Sequence, residues 1–235
     1  MPLKKYNMNR FICSLIVIFI TSLSLTAQKN TYSTAKDSDA KAVATLNKIK
    51  TKYSSASQQI TSVFSLKMEF PGQSTRLEKG TMTQLGTKFN LDIKDMGIIN
   101  DGKTVWFINK KQKEVQINDY VKGSSQGIVN PADFISQYDQ KNFIAAVTFD
   151  GAQSGKQVQI IECKPVKKGT EYSKARITVN KPTGELIAME IFNKDGSRHT
   201  LNVSKTTFGK PGSAAVFTFN KSKYPGFNVE DLRVN

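Results

Sequence analysis

A chain of 235 residues with 34 Lys and Arg against 19 Asp and Glu carries a formal net charge of +15 and a single histidine. That length suits one domain with a sizeable core or at most two small ones, and two cysteines exclude a disulfide-built framework. One His with two Cys also falls short of an ordinary zinc tetrad, so no metal and no cofactor are expected.

Lys4, Lys5 and Arg10 precede the apolar run "FICSLIVIFITSLSLTA", which ends at Ala27 before Gln28. A basic start, a short apolar middle and a small residue at the end predict a secretory signal peptide over residues 1–27. The run is short for a membrane span of about 20 apolar residues, so a soluble exported protein with no stable membrane insertion is expected. Cys13 lies inside the signal, which leaves Cys163 as the one mature cysteine. Loss of Lys4, Lys5 and Arg10 leaves a net charge of +12. In an exported protein such charge favours anionic lipid or an acidic protein over nucleic acid, or serves solubility alone.

Residues 28–37, beginning "QKNTYSTAK", are polar and aperiodic and read as a flexible lead-in to one domain over 38–235. Ser38 or Asp39 then caps a helix in which Val43, Leu46, Ile49 and Tyr53 recur at three- and four-residue steps. From Ile60 the period changes to two. In "VFSLKMEF", Phe64, Leu66, Met68 and Phe70 alternate with Ser65, Lys67 and Glu69, a strand with one apolar face.

Further strand-like runs follow: "RLEKGTMTQL", "KFNLDIK", "GIIN", "TVWFIN", "KEVQIN", "FIAAVTF", "QVQIIEC", "ARITVN", "ELIAMEIF", "HTLNVSKTTF" and "AVFTF". Turn signals separate most of them, at Asp101-Gly102, Asp150-Gly151, Pro182-Thr183-Gly184, Asp195-Gly196 and Lys210-Pro211-Gly212. This spacing predicts a single antiparallel sheet that curls strongly or closes. At "NPADFISQY" a short helix interrupts the strands, with Asn130 as its cap, Pro131 at its first position and Asp133 three residues after the cap.

Two motifs raise enzymatic readings, and both lack their context. Gly97, Gly102, Lys103 and Thr104 satisfy the phosphate-loop pattern, but a phosphate loop needs a helix directly after it, and Val105 to Ile108 read as strand. Asp101-Gly102 reads instead as a two-residue hairpin tip of type I′. "GSSQG", Gly123 to Gly127, matches the elbow of serine hydrolases around Ser125, with His199 downstream. That elbow belongs between a strand and a helix, and hairpins surround it here. Paired carboxylates such as Asp92 with Asp95 or Asp119 with Asp133 read as solvated or turn residues. A catalytic reading finds no complete constellation, and the chain is expected not to be an enzyme.

Apolar faces remain. Phe64, Leu66, Met68, Phe70, Phe89, Leu91, Ile93, Met189 and Ile191 line one side of their strands, and Val43, Leu46, Ile49, Phe134 and Ile135 one side of their helices. A curved sheet with helices across its open side either fills its interior with these residues or keeps a cavity for an apolar ligand.

The order of helix, two long strands, "TKFNLDI", "NDGKTVWFIN", "EVQINDY", "NPADFI", more strands and the ending "FTFNKSKYPGFNVEDLR" resembles the LolA family of periplasmic outer-membrane lipoprotein carriers, over roughly Asp39 to Arg233. The resemblance implies an incomplete, strongly curved antiparallel β-barrel covered by a helical lid, and an apolar space between them that takes lipoprotein acyl chains without covalent chemistry. It further implies a monomer in the periplasm that takes lipoprotein or lipid cargo from an inner-membrane exporter complex to an outer-membrane acceptor. Phe64, Leu66, Met68, Phe89, Leu91, Ile93, Phe134 and Ile135 are the expected lining, with Phe89 at the family's ligand-contacting aromatic position. Four residues earlier, where well-studied members carry an arginine that holds the lid shut, this chain has Leu85, which donates no hydrogen bond. Lys88 and Arg76 are the candidate substitutes. A divergent member carrying another lipid, and a noncatalytic envelope sensor or interaction module, stay open as alternatives.

Overall fold

The computed structural model describes residues 38–121, 134–135 and 138–233. The signal segment, the lead-in, the Ser125 loop, and Asn130, Pro131 and Asp133 of the proposed cap lie outside them. Helix α1 spans Ala40–Tyr53. Strands β1 (Gln59–Glu69), β2 (Arg76–Leu85), β3 (Lys88–Ile93), β4 (Met96–Asn100), β5 (Thr104–Asn109) and β6 (Glu114–Asp119) follow it. After the helical pair Phe134 and Ile135 come β7 (Phe143–Gln153), β8 (Lys156–Pro165), β9 (Tyr172–Asn180), β10 (Glu185–Asn193), β11 (Arg198–Gly209) and the short β12 (Asn228–Asp231).

All twelve strands join one sheet in the order β12-β6-β5-β4-β3-β2-β1-β11-β10-β9-β8-β7. The chain therefore lays down two meanders, β1 to β6 and β7 to β11, which meet where β1 pairs antiparallel with β11. The sheet is open at β12 and β7 and strongly curved: it curls, as the strand spacing predicts, without closing, and matches the incomplete barrel that the resemblance implies. One ladder departs from the expected antiparallel pattern: β12 runs parallel to β6.

Curvature has identifiable sources. The ladders are irregular at Val63/Phe64 between β1 and β11, at Leu186/Ala188 between β10 and β9, and at Val147/Phe149 between β7 and β8. A bulge bends its strand and increases the local twist. Gly80, in mid-β2, permits a close approach. A Cβ there would lie 2.5 Å from the Asp92 carbonyl oxygen and from Ile93 Cγ2, and 2.9 Å from Phe64 Cζ. A side chain at this position would hold β2 away from β3, so glycine sits where the two strands and the Phe64 ring crowd together.

Helix α1 starts at Asp39, whose carboxylate accepts from the Lys41 N–H, and ends with Lys50 and Lys52 favourably placed in its last turn. Its buried stripe is Ala42, Leu46, Ile49 and Tyr53, and Val43 is only half-buried, so the small Ala42 takes the close-packed place that the sequence pattern assigned to valine. The start of the helix also ties to β7: Asp39 N–H donates to the Ala145 carbonyl (2.8 Å), Ser38 Oγ accepts from Ala145 N–H (3.1 Å), and Asp39 Oδ2 accepts from Val147 N–H (3.3 Å).

Three local expectations are corrected. Asp150 and Gly151 are not a turn but part of β7, which pairs on to Gln153↔Lys156; the hairpin turns at Ser154 and Gly155, both with positive φ. The Asp101-Gly102 hairpin forms, but of the two residues only Gly102 has positive φ (93°), so it is not type I′. Asp101 stabilises the turn through its carboxylate, which accepts from the N–H groups of Lys103 (2.9 Å) and Thr104 (2.8 Å). "AVFTF" is not a strand: Ala214–Phe217 form a 3₁₀ turn capped by the Ser213 hydroxyl, which accepts from the Ala215 N–H.

The convex face is polar over β8 to β11. There Arg176 bridges Glu162 (2.7 Å) and Glu190 (3.0 Å), Lys174 also reaches Glu162 (2.9 Å), and Lys174, Arg176 and Arg198 surround the Phe192 ring. Burial works to raise the Glu162 carboxyl, but the hydrogen bonds and charges of Lys174 and Arg176 outweigh it and hold the group below its ordinary value. Over β4 to β6 the convex face is apolar, and the C-terminal segment covers it: Phe219, Tyr224, Phe227 and Val229 pack on Ile99, Trp106, Ile108 and Val115.

Candidate ligand-binding face

The concave face carries two apolar clusters. In the first, α1 presents Leu46, Ile49 and Tyr53 to Ile161, Cys163, Ile177, Val179, Met189 and their neighbours on β7 to β10. Phe134 and Ile135 belong to this cluster, where Phe134 packs against Phe143 (5.1 Å between ring centroids) and Tyr172 (6.1 Å). Burial pushes the Cys163 thiol up to about 12, so this cysteine is a packing residue in its un-ionised form.

The second cluster lies on β1 to β5 and β11 and includes Phe64, Leu66, Met82, Phe89, Leu91, Ile93, Ile98, Val105 and Leu201. Cross-strand pairing sets these on one side: Met82 opposes Leu91, Gly80 opposes both Phe64 and Ile93, and Leu66 opposes Leu201. Met68 packs half-buried against them, and Val203 touches both clusters. Of the eight lining residues expected from sequence, six gather here, while Phe134 and Ile135 sit with the helix in the other cluster. The two halves differ in what opposes the sheet. In the first, α1 fills the concavity; in the second, no described helix contributes, and the apolar side chains all come from strands and from Tyr120 just beyond β6.

At the lid, the side-chain donor to the helix end is none of Leu85, Lys88 and Arg76 but Gln84. Gln84 Nε2 donates to the Tyr53 carbonyl at the last turn of α1 (2.8 Å) and to the Gly86 carbonyl (3.2 Å), with the residue 5% exposed. Strand alternation places Gln84, not Leu85, on the concave side, and that is the signal by which sequence reasoning could have found it. The Tyr53 hydroxyl accepts from Leu186 N–H (2.9 Å), and Lys52 Nζ donates to the Thr183 carbonyl (2.9 Å), so the helix end is tied to both halves of the sheet. Burial raises the Tyr53 phenol above its usual value, and it stays a neutral hydrogen-bonding group.

His199 stands in β11 between Met68 and Ile191, also on the concave side. Ser125 of the elbow-like "GSSQG" lies outside the described residues. Among the described residues, no group of three or more His, Cys, Asp and Glu is placed to hold a metal, and no helix is long and apolar enough to cross a membrane.

An open, strongly curved sheet that wraps a long helix defines the class of incomplete β-barrels with a helical lid. Within that class, the family model of the outer membrane lipoprotein carrier protein LolA matches residues 61–220, and the chain belongs to this family. It is a family of carriers rather than enzymes. An uncharacterised conserved protein from Thermus thermophilus has a similar fold, with 8% identity, a TM-score of 0.53, and 81% of this chain and 99% of that one covered. Weaker similarity extends to a LolA superfamily protein from Nitrosomonas europaea (12% identity, TM-score 0.41, covering 76% and 97%) and to LprF from Mycobacterium bovis (12%, 0.38, covering 75% and 97%). No curated protein matches the chain.

Proposed function

We propose that residues 38–235 form one carrier domain that, after removal of residues 1–27 on export, binds lipoprotein acyl chains and moves them across the periplasm from an inner-membrane exporter to an outer-membrane acceptor. The observation that carries this reading is the strand-only apolar wall of Phe64, Leu66, Phe89, Leu91 and Ile93, with Met68 at its margin, to which no described helix contributes a side chain. An acyl chain of about fifteen methylenes costs roughly 12 kcal/mol to expose to water at about 0.8 kcal/mol each, so it does not cross an aqueous space unaided. A carrier must cover that surface and still release it, which a lid with two states a few kcal/mol apart permits. Phe134 and Ile135, packed on the helix cluster, line the site from the lid side when α1 moves. Gln84 in place of arginine as the helix-end donor marks a divergent member, for which another lipid is the alternative cargo.

The test is native mass spectrometry and lipid extraction of the purified mature chain. Bound lipid or lipoprotein is expected, lost in Phe89→Glu, which places an unpaired charge on the wall, and kept in Phe89→Leu. A wild-type protein that copurifies with no lipid and binds no apolar dye refutes the carrier reading.

A further inference from the structure

The one histidine is an anomaly in its setting. Pairing places His199 in a cross-strand row with Met68 and Ile191, and the next row on the same face is Leu66, Leu201 and Met189. It is thus the polar member of an otherwise apolar stretch of the concave face, at the end where β1 leads into Phe70 and β11 begins. The Phe70 ring stands edge-on to the imidazole at 5.7 Å, and the Arg76 guanidinium lies over Phe70 at 5.9 Å. His199 Nε2 is buried and has no hydrogen-bond partner among the described residues. An orphaned buried nitrogen carries a desolvation cost that phenylalanine or leucine would not incur at the same place. Desolvation lowers the imidazole's pKa, with Asp195 acting in the opposite direction, so the ring is neutral at pH 7 and has one N–H to give.

We propose that His199 is the polar contact for the cargo's head: its Nε2–H donates to an ester or amide carbonyl at the top of an acyl chain, whose tail then runs along Leu201, Leu66 and Phe64. The inference rests on the carrier reading and adds to it an orientation and a selectivity. Chains enter with their carbonyl at the Phe70–Arg76 end, and esterified chains are preferred over hydrocarbon of equal length.

The experiment displaces an apolar fluorescent dye from the mature protein with methyl palmitate or with hexadecane, which differ in the ester group. Wild type is expected to bind the ester about tenfold more tightly relative to hexadecane than His199→Phe does, since a single hydrogen bond between neutral groups in a dry site is worth about one such factor. His199→Gln, which keeps a donor, is expected to recover most of the preference, and hexadecane binding should be equal in all three proteins. An unchanged ester-to-alkane ratio in His199→Phe overturns the inference while leaving the carrier reading intact. Failure of both probes to displace or bind in wild type overturns both. A common loss of both ligands in the variant assigns His199 to packing alone and also overturns the inference.

Discussion

Replacing Gln84 by leucine separates a lid from a fixed core helix. Gln84 Nε2 is the donor for the Tyr53 carbonyl, at 2.8 Å in a buried site. Leucine is of similar size but leaves that acceptor without its partner, at a cost of about 1–3 kcal/mol, from which the loss of Gln84 Oε1, itself buried without a partner among the described residues, subtracts. At about 1.4 kcal/mol per tenfold, the balance between docked and undocked α1 shifts by up to roughly 150-fold. The same loss lowers thermal stability, by about 2–4 °C per kcal/mol for a chain of this size. If the undocked form is the one that admits a ligand and is scarce in wild type, apparent affinity improves in proportion to its population. Titration of an apolar dye, with calorimetric melting alongside, reads both quantities. The expected result is tighter dye binding in a less stable protein. Lys48→Ala, which removes an exposed bond to the Pro182 carbonyl, should leave both within error. Weaker or unchanged dye binding in Gln84→Leu, with stability reduced, refutes the reasoning and makes α1 a permanent part of the core.

Two further outcomes follow from the sheet. Gly80→Ala should lower stability by about 1–3 kcal/mol and weaken dye binding, because a Cβ 2.5 Å from the Asp92 carbonyl oxygen forces β2 and β3 apart, whereas Gly209→Ala, with nothing within 4 Å, should be neutral in chemical denaturation. Glu162 has its folded pKa held below the ordinary 4.5, so its contribution is present above that value and is lost as pH falls through the folded pKa. Melting temperature should therefore drop more steeply below pH 4.5 in wild type than in Glu162→Gln, and parallel curves would show that the network contributes nothing.

The fold was legible wherever one face of an element meets water and the other does not. Phe64, Leu66 and Met68 alternate with Ser65 and Lys67 because β1 has one wet side; the bounds of β2 coincide with "RLEKGTMTQL", although there Leu77 is exposed and the polar Gln84 buried. The reading failed where local signals compete with pairing. Asp150-Gly151 is a turn signal overridden by the ladder to β8, and Ser154-Gly155 further along took the turn. The "NVED" of β12 holds one apolar residue and no period, since a four-residue edge strand is placed by its hydrogen bonds to β6. At the site, periodicity found the wall residues but not their division into two clusters, because Phe134 and Leu66 both read as members of an apolar face and differ only in what opposes them. Gln84 was missed for a different reason, although alternation puts it on the concave side. Its role depends on where the end of α1 falls, 31 residues away in sequence, and the alternation of β2 gives the face but not that partner.

The seam between β1 and β11 bears on how the protein acquires its shape. Every other neighbouring pair among β1 to β6 and β7 to β11 is adjacent in sequence, whereas Glu69 must find Arg198 and Gln59 must find Gly209. Closing so long a loop is slow relative to hairpin formation, so each meander zips before the two halves meet. Until they do, the first meander exposes the apolar wall of β1 to β5, and α1 has no β7 strand or β9–β10 turn to hold. A chain that emerges N-terminus first thus leaves this apolar surface bare until the second half arrives, a window in which self-association or a chaperone competes with folding.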